Sequence, residues 1–235
     1  MPAILVLAGV AMTHATPPRQ PMAQIALAQE APKVDGRGDD PAWLHTVAIQ
    51  DFQTLGAHAP AEASTTVRFA YDARYLYLFA RCEEPLLKVA MQRTHEVRMA
   101  AREQDANVFN DDSLLIIFRL PERDENYELA VNPLGTVADA RSTGNSLWTG
   151  RDFAWNSGAK VIATIHDGYW EVEMAIPWSS FPGGMPSVGD TWEVVLARVA
   201  RGREEFSSWN PSGMAGLHTP EGCGKLVFGE IGRAH

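Results

Sequence analysis

Cysteine, basic charge and long apolar runs are what this sequence has least of, and each shortage removes a class of protein. Cys82 and Cys223 are the only two cysteines in 235 residues, too few for a disulfide-dense scaffold or a cysteine-rich zinc site. One disulfide or two buried thiols both fit. Lys and Arg number 20 against 29 Asp and Glu, a formal charge of −9, and the basic residues are scattered. No nucleic-acid partner is expected, because phosphate backbones repel such a surface. The apolar run at the N-terminus, residues 1–12, falls well short of the roughly 20 residues that cross a bilayer, so no membrane span is expected. A Gly-x-Ser-x-Gly elbow, a phosphate loop and a dinucleotide fingerprint are missing. His45, His58, His95, His166 and His218 lack the spacing of zinc ligands. Glu171 and Glu173 share one strand face with no cleft in the pattern, and Asp111 and Asp112 point to opposite faces of any strand. The expectation is a binding domain with no catalytic cofactor rather than an enzyme.

What is present is β rhythm. Hydrophobic residues make up 46% of the chain, enough for one full core. From residue 34 onward Gly, Pro, Asn and Asp punctuate short alternating runs. Strands are expected over residues 67–71, 75–80, 113–120, 127–132, 159–166, 169–176, 191–201 and 224–228. In the run from Tyr169, Trp170, Val172, Met174 and Ile176 fall on one face, with Glu171 and Glu173 on the other, the pattern of a sheet with one face on the core. The fold class expected is all-β, an antiparallel β-sandwich of jelly-roll type, spanning residues 33–230. One short helical insertion is expected around residues 86–105, which carry helix formers and no turn residues. Met91, His95 and Met99 would share one face of it, a packing stripe or, alternatively, a set of haem ligands. Residues 1–30 read as a signal peptide or disordered leader with its small-x-small site at Ala26-Leu27-Ala28, implying a secreted or periplasmic protein.

Four segments resemble the family-9 carbohydrate-binding modules, a DOMON-like group of sandwiches found with secreted glycan-degrading enzymes. They are Val34-Asp35-Gly36 through Asp39-Asp40-Pro41-Ala42-Trp43; Val67-Arg68-Phe69-Ala70-Tyr71-Asp72 through Tyr75-Leu76-Tyr77; Asn110-Asp111-Asp112-Ser113-Leu114; and Trp170-Glu171-Val172-Glu173-Met174-Ala175-Ile176-Pro177-Trp178. The resemblance runs over nearly the whole of residues 34–228. It implies non-catalytic binding of a polysaccharide or oligosaccharide, a linked glycoside hydrolase domain as partner in polysaccharide degradation, and a structural Ca²⁺, for which Asp111 and Asp112 are the candidate ligands. Trp43 and Trp178, at strand ends among apolar neighbours, read as core plugs.

Sugars are held by an aromatic ring under the C–H face of a pyranose and by polar groups that bond its hydroxyls. Residues 108–112 and a polar loop over 132–155 carry both. The candidate ligand residues are Phe109, Asn110, Asp111, Asn132, Asp139, Arg141, Trp148, Trp155 and Trp209. The family's clamp, two Trp with a Glu and an Arg on adjacent strands, is altered: Phe109 stands at the first aromatic position, Leu115 and Ala130 stand where the polar pair would be, and residues 212–218 hold no aromatic. A scaffold or adhesion domain with no small ligand is the alternative if Trp148 and Trp155 are packed away.

Overall fold

The structure is a computed structural model, and it describes residues 20–85, 87, 99–105, 107–144, 150–210, 217 and 222–230. Among the described residues are twelve strands, ten of them on one hydrogen-bonded path folded into two layers and two attached at its side. They are β1 (Met22–Leu27), β2 (Gln53–Thr54), β3 (Thr65–Tyr71), β4 (Tyr75–Glu83), β5 (Ser113–Arg119), β6 (Glu125–Val131), β7 (Val137–Thr143), β8 (Lys160–His166), β9 (Tyr169–Pro177), β10 (Thr191–Ala200), β11 (Glu205–Ser208) and β12 (Gly224–Phe228). The first layer runs β7-β6-β5-β10-β12-β1 and the second β1-β3-β4-β9-β8, with β11 on β10 and β2 on β11. The eight strands expected from the sequence are all present.

Strand β1 joins the layers. Met22 to Ile25 pair with β12, and Ala26 and Leu27 pair with β3, both in parallel. Residues 22–27, expected within the leader, pair in the sandwich as β1, so cleavage after Ala26-Leu27-Ala28 would remove the strand that joins its layers. It also qualifies the antiparallel expectation, since β1 is parallel to both partners. The expected helix lies largely outside the described residues, Met91 and His95 included; residues 99–105 are not helical. The one α-helical turn among the described residues is α1 (Pro41–Leu44), and none of their helices is long and apolar enough to cross a membrane.

Between the layers, alternate residues of each strand meet in one core. Val67, Phe69 and Tyr71 of β3, Leu76, Leu78 and Ala80 of β4, Leu114, Ile116 and Phe118 of β5, and Trp170, Val172, Met174 and Ile176 of β9 all belong to it. Each large side chain sealed this way contributes about 1.5–3 kcal/mol. Trp178 joins Trp192 at 5.9 Å and 90°, and Trp192 joins Phe181 at 5.0 Å, edge contacts that ring quadrupoles favour. Trp178 and Trp43 are buried, as expected of core plugs. Cys82 lies in this core and Cys223 in a second cluster outside the first layer. Both are free thiols, and burial pushes Cys82 up to about 11.

Two of the four motifs meet physically. The backbone N–H groups of Asp35, Gly36 and Arg37 donate to Glu173 Oε2 at 3.0, 2.9 and 3.3 Å, and Trp43 Nε1 donates to Oε1 at 2.8 Å. The turn needs glycine: Gly36 has φ +83°, and a Cβ there would stand 2.6 Å from Thr164 Oγ1. Glu173, expected on a solvent-facing strand surface, is therefore buried under the N-terminal turn. In the second motif, Asp72 Oδ1 accepts Arg74 and Tyr75 N–H at 2.7 and 2.8 Å, closing the β3–β4 turn as a short acidic side chain does.

Candidate functional site

Strand parity places a second set of side chains on the face of the first layer turned away from the core. Leu115 and Ile117 of β5, Ala130 of β6, Ala138 of β7, and Val195 and Ala197 of β10 form an apolar floor there, with Val108, Leu217 and Cys223, and with Phe109 packed against it. One carboxylate stands in this floor. Glu128, on the same side of β6 as Ala130, is buried. Its Oε1 accepts the Ser142 hydroxyl at 2.6 Å, and its Oε2 accepts Arg151 Nε at 2.8 Å and pairs with Nη2 at 2.7 Å. The Arg151 guanidinium in turn lies 4.6 Å from the centroid of the Phe109 ring, within the range of a cation–π contact. Phe109 sits in a 3₁₀ turn (Val108–Asn110), and its carbonyl accepts Arg201 Nη2 at 2.7 Å.

An aromatic ring, a guanidinium, a carboxylate and a hydroxyl thus converge on one sheet face. Arg151 belongs to the polar loop that the sequence singles out; Glu128, Ser142 and Arg201 are not among the candidates it offers. Glu128 alternates with Tyr127 and Leu129, so its period-two pattern reads as an ordinary solvent position. Only the Arg151 loop folding over it changes that.

The nine candidate ligand residues divide between several places. Phe109 packs against this outer face, and Asn110, next to it in the 3₁₀ turn, is exposed. Asp111 and Asn132 are internal: Asn132 Nδ2 donates to Asp111 Oδ2 at 2.9 Å and to the Ala101 carbonyl at 2.8 Å. Asn132 Oδ1 accepts the N–H groups of Leu134 and Thr136, so the pair builds the β6–β7 turn. Asp139 and Arg141 fall on β7, in the middle of what the sequence presents as one long loop. Ser157 N–H donates to Asp139 Oδ2 at 2.7 Å, and Arg141 pairs with Asp152 at 3.0 Å. Trp155 folds back over the sandwich, its Nε1 donating to the Ser180 carbonyl at 3.2 Å and its ring 5.4 Å from Tyr127. Trp209 also packs on the main core, so close to β12 that a Cβ on Gly224 would stand 2.3 Å from its ring. Trp148 lies outside the described residues.

Calcium does not fit the pair assigned to it. Asp111 Oδ2 accepts two nitrogen donors, Ala101 N–H at 2.8 Å and the Asn132 amide, and Asp112 faces the buried Arg198 guanidinium at 3.7 Å. A cation site needs converging oxygens, not donors. Among the described residues no three His, Cys, Asp or Glu side chains converge to hold a metal.

Known proteins place this architecture. A protein of Bacteroides uniformis described as a candidate carbohydrate-binding protein superposes with a TM-score of 0.67 at 17% identity, over 89% of this chain and 100% of that one. A family-9 carbohydrate-binding module of Caldicellulosiruptor kristjanssonii superposes in two crystal structures, with cellotriose at a TM-score of 0.56 and with glucose at 0.57. Each is 14% identical over 90% of this chain, and over 95% and 97% of the module. At such identities the likeness is one of fold. No curated protein matches the chain. The model of the family described as "Carbohydrate family 9 binding domain-like" matches residues 34–227, from the turn that cradles Glu173 to the last core strand, and the chain belongs to that family.

Proposed function

We propose that this chain is a non-catalytic carbohydrate-binding module that holds a saccharide on the outer face of its first layer. Phe109 lies against the C–H face of a pyranose, and Arg151 and Glu128 bond its hydroxyls. The observation that carries the reading is the Phe109–Arg151–Glu128 constellation itself. Its Arg–carboxylate pair is charge-assisted and built from directional donors and acceptors, and a half-exposed aromatic beside it supplies the stacking surface. The relatives support the ligand class: the Caldicellulosiruptor module was solved with cellotriose and with glucose. Trp148, close in sequence to Arg151, belongs to this proposal as a second aromatic. The role that follows is attachment to a polysaccharide outside the cytoplasm, beside a glycoside hydrolase that degrades it.

Calorimetric titration of the full chain with glucose, cello-oligosaccharides, xylo-oligosaccharides and soluble xylan tests this. Saturable binding weakened about tenfold by Glu128→Gln is expected. No heat from any member of the panel overturns it. The packing of Trp155 and Trp209 on the core favours the second reading, a scaffold domain with no small ligand, and that reading predicts the silent titration.

A further inference from the structure

The two layers end in β7 and β8, and a cleft of about 340 Å³ between them is lined by Val137 and Asp139 of β7, Val161 of β8 and Ala159 just before it. That volume is at the low end of the roughly 300–1,000 Å³ usual for small-molecule sites. One flank is apolar: Val137, Ala159 and Val161 back onto the main core. The rest is polar, formed by Arg102, Gln104, Thr136, Asn156, Ser157 and Asp139. Asp139 is only 2% exposed. Its Oδ2 accepts the Ser157 N–H, while its Oδ1 has no hydrogen-bond partner among the described residues. Buried carboxylate oxygens are ordinarily paired, because an anion taken out of water needs donors in exchange. The described residues supply no such donor, and a ligand seated in the cleft would.

The lining narrows what that donor is. A calcium-like ion needs six to eight oxygens, and the described residues offer no cluster of three acidic, His or Cys side chains. An organic cation would meet Arg102 in the same cleft. A neutral hydroxyl suits both charges, since it donates to Asp139 Oδ1 and accepts from a guanidinium or amide N–H. Asn156 Oδ1 already accepts the Gly158 N–H at 2.7 Å, which leaves its NH₂ group as a donor. The apolar flank matches the C–H face of a sugar ring. We propose that this edge cleft is a second saccharide subsite, sized for a single pyranose unit, with Asp139 as its hydroxyl acceptor. The ligand class rests on the carbohydrate reading above, but no residue is shared with the outer face.

The test is a titration of the ¹⁵N-labelled full chain with cellobiose, followed residue by residue. Shifts are expected at the Thr136 and Ser157 backbone amides and the Gln104 and Asn156 side-chain amides, and they persist in Phe109→Ala. Asp139→Asn keeps an acceptor for Ser157 but swaps the free oxygen for a donor, and it weakens the cleft response at least tenfold. Gln104→Ala, at an exposed position where folding is not at risk, weakens it severalfold. Shifts confined to the outer face overturn the cleft and leave the first proposal standing. Shifts confined to the cleft do the reverse. A spectrum that does not move overturns both.

Discussion

Glu128 and Glu173 occupy matching places on the two outward faces of the sandwich, each only 1% exposed, yet their partners differ in kind. Glu173 is held by three main-chain N–H groups and one indole. Main-chain donors cannot turn away without unmaking the 35–37 turn, so this carboxylate acts as a lock for the N-terminal segment. Glu128 is held by a hydroxyl and by a guanidinium carried on the loop after β7. Those side chains have rotamers, and a ligand hydroxyl can share or replace their bonds. Equal burial therefore does not mean equal role: the chemistry of the partner separates a structural acid from one that the proposed saccharide site could use.

The sharpest way to break this comparison is to remove each element of the lock in turn. Glu173→Ala leaves four donors without an acceptor, and each such loss costs about 1–3 kcal/mol when buried. Two of the four are only partly buried and turn to water, so the expected total is about 3 kcal/mol. Urea unfolding measures it, with saccharide affinity of the folded protein unchanged. A loss under about 1 kcal/mol, the worth of a single ordinary hydrogen bond, would show the lock to be ornamental. Trp43→Phe comes next. It keeps the contact with Phe79, whose ring lies 5.8 Å away, and removes only the indole donor, for an expected cost of about 1–2 kcal/mol in the same measurement.

Much of the fold is legible in the sequence itself. The alternation at Trp170, Val172, Met174 and Ile176, and the Asp72 turn, are local patterns, and local patterns fix strands and hairpins. Strand β7 is not legible there: its odd positions carry Asp139 and Arg141, and its even positions carry Ala138, Ala140 and Ser142. An edge strand with small residues on its covered face shows no hydrophobic period, so it reads as loop. Glu173 and Glu128 escape the pattern for a shared reason. Period two assigns a face to a residue, but whether that face is then covered depends on segments far off in sequence, the 35–37 turn in one case and Arg151 in the other. The sequence leaves the packing of Trp155 open because its partners, Tyr127 and Ser180, are distant along the chain.

On the addressable side, the prediction concerns affinity rather than stability. Phe109→Ala removes the ring under the proposed sugar and frees the Arg151 guanidinium from its contact. Binding at the outer face is expected to fall about tenfold, which corresponds to about 1.4 kcal/mol, while the urea midpoint moves little because the ring is only partly buried. Calorimetry on the variant checks the first half and urea unfolding the second. A variant that binds normally but unfolds early would move Phe109 to the structural side of the comparison.

The smallest effect is the most diagnostic of the lock. Burial pushes the Glu173 carboxyl above its ordinary value, and the bonds from Trp43, Asp35, Gly36 and Arg37 pull it back without cancelling the rise. The sign follows from proton counting. Between the unfolded value of about 4.3 and the higher folded one, the native state binds more protons than the unfolded state, so stability falls as pH rises through that window. Below about pH 4.3 both states are protonated and the contribution is flat. Glu173→Gln cannot titrate, so the wild-type protein should lose stability relative to that variant as pH climbs from about 4 upward, read as the difference in urea midpoints. A difference that instead grows in favour of the wild type means that the four donors outweigh burial. The lock would then be strongest when the carboxylate is charged, and Glu173 would resemble the ion-paired Glu128 more closely than its position on the opposite face suggests.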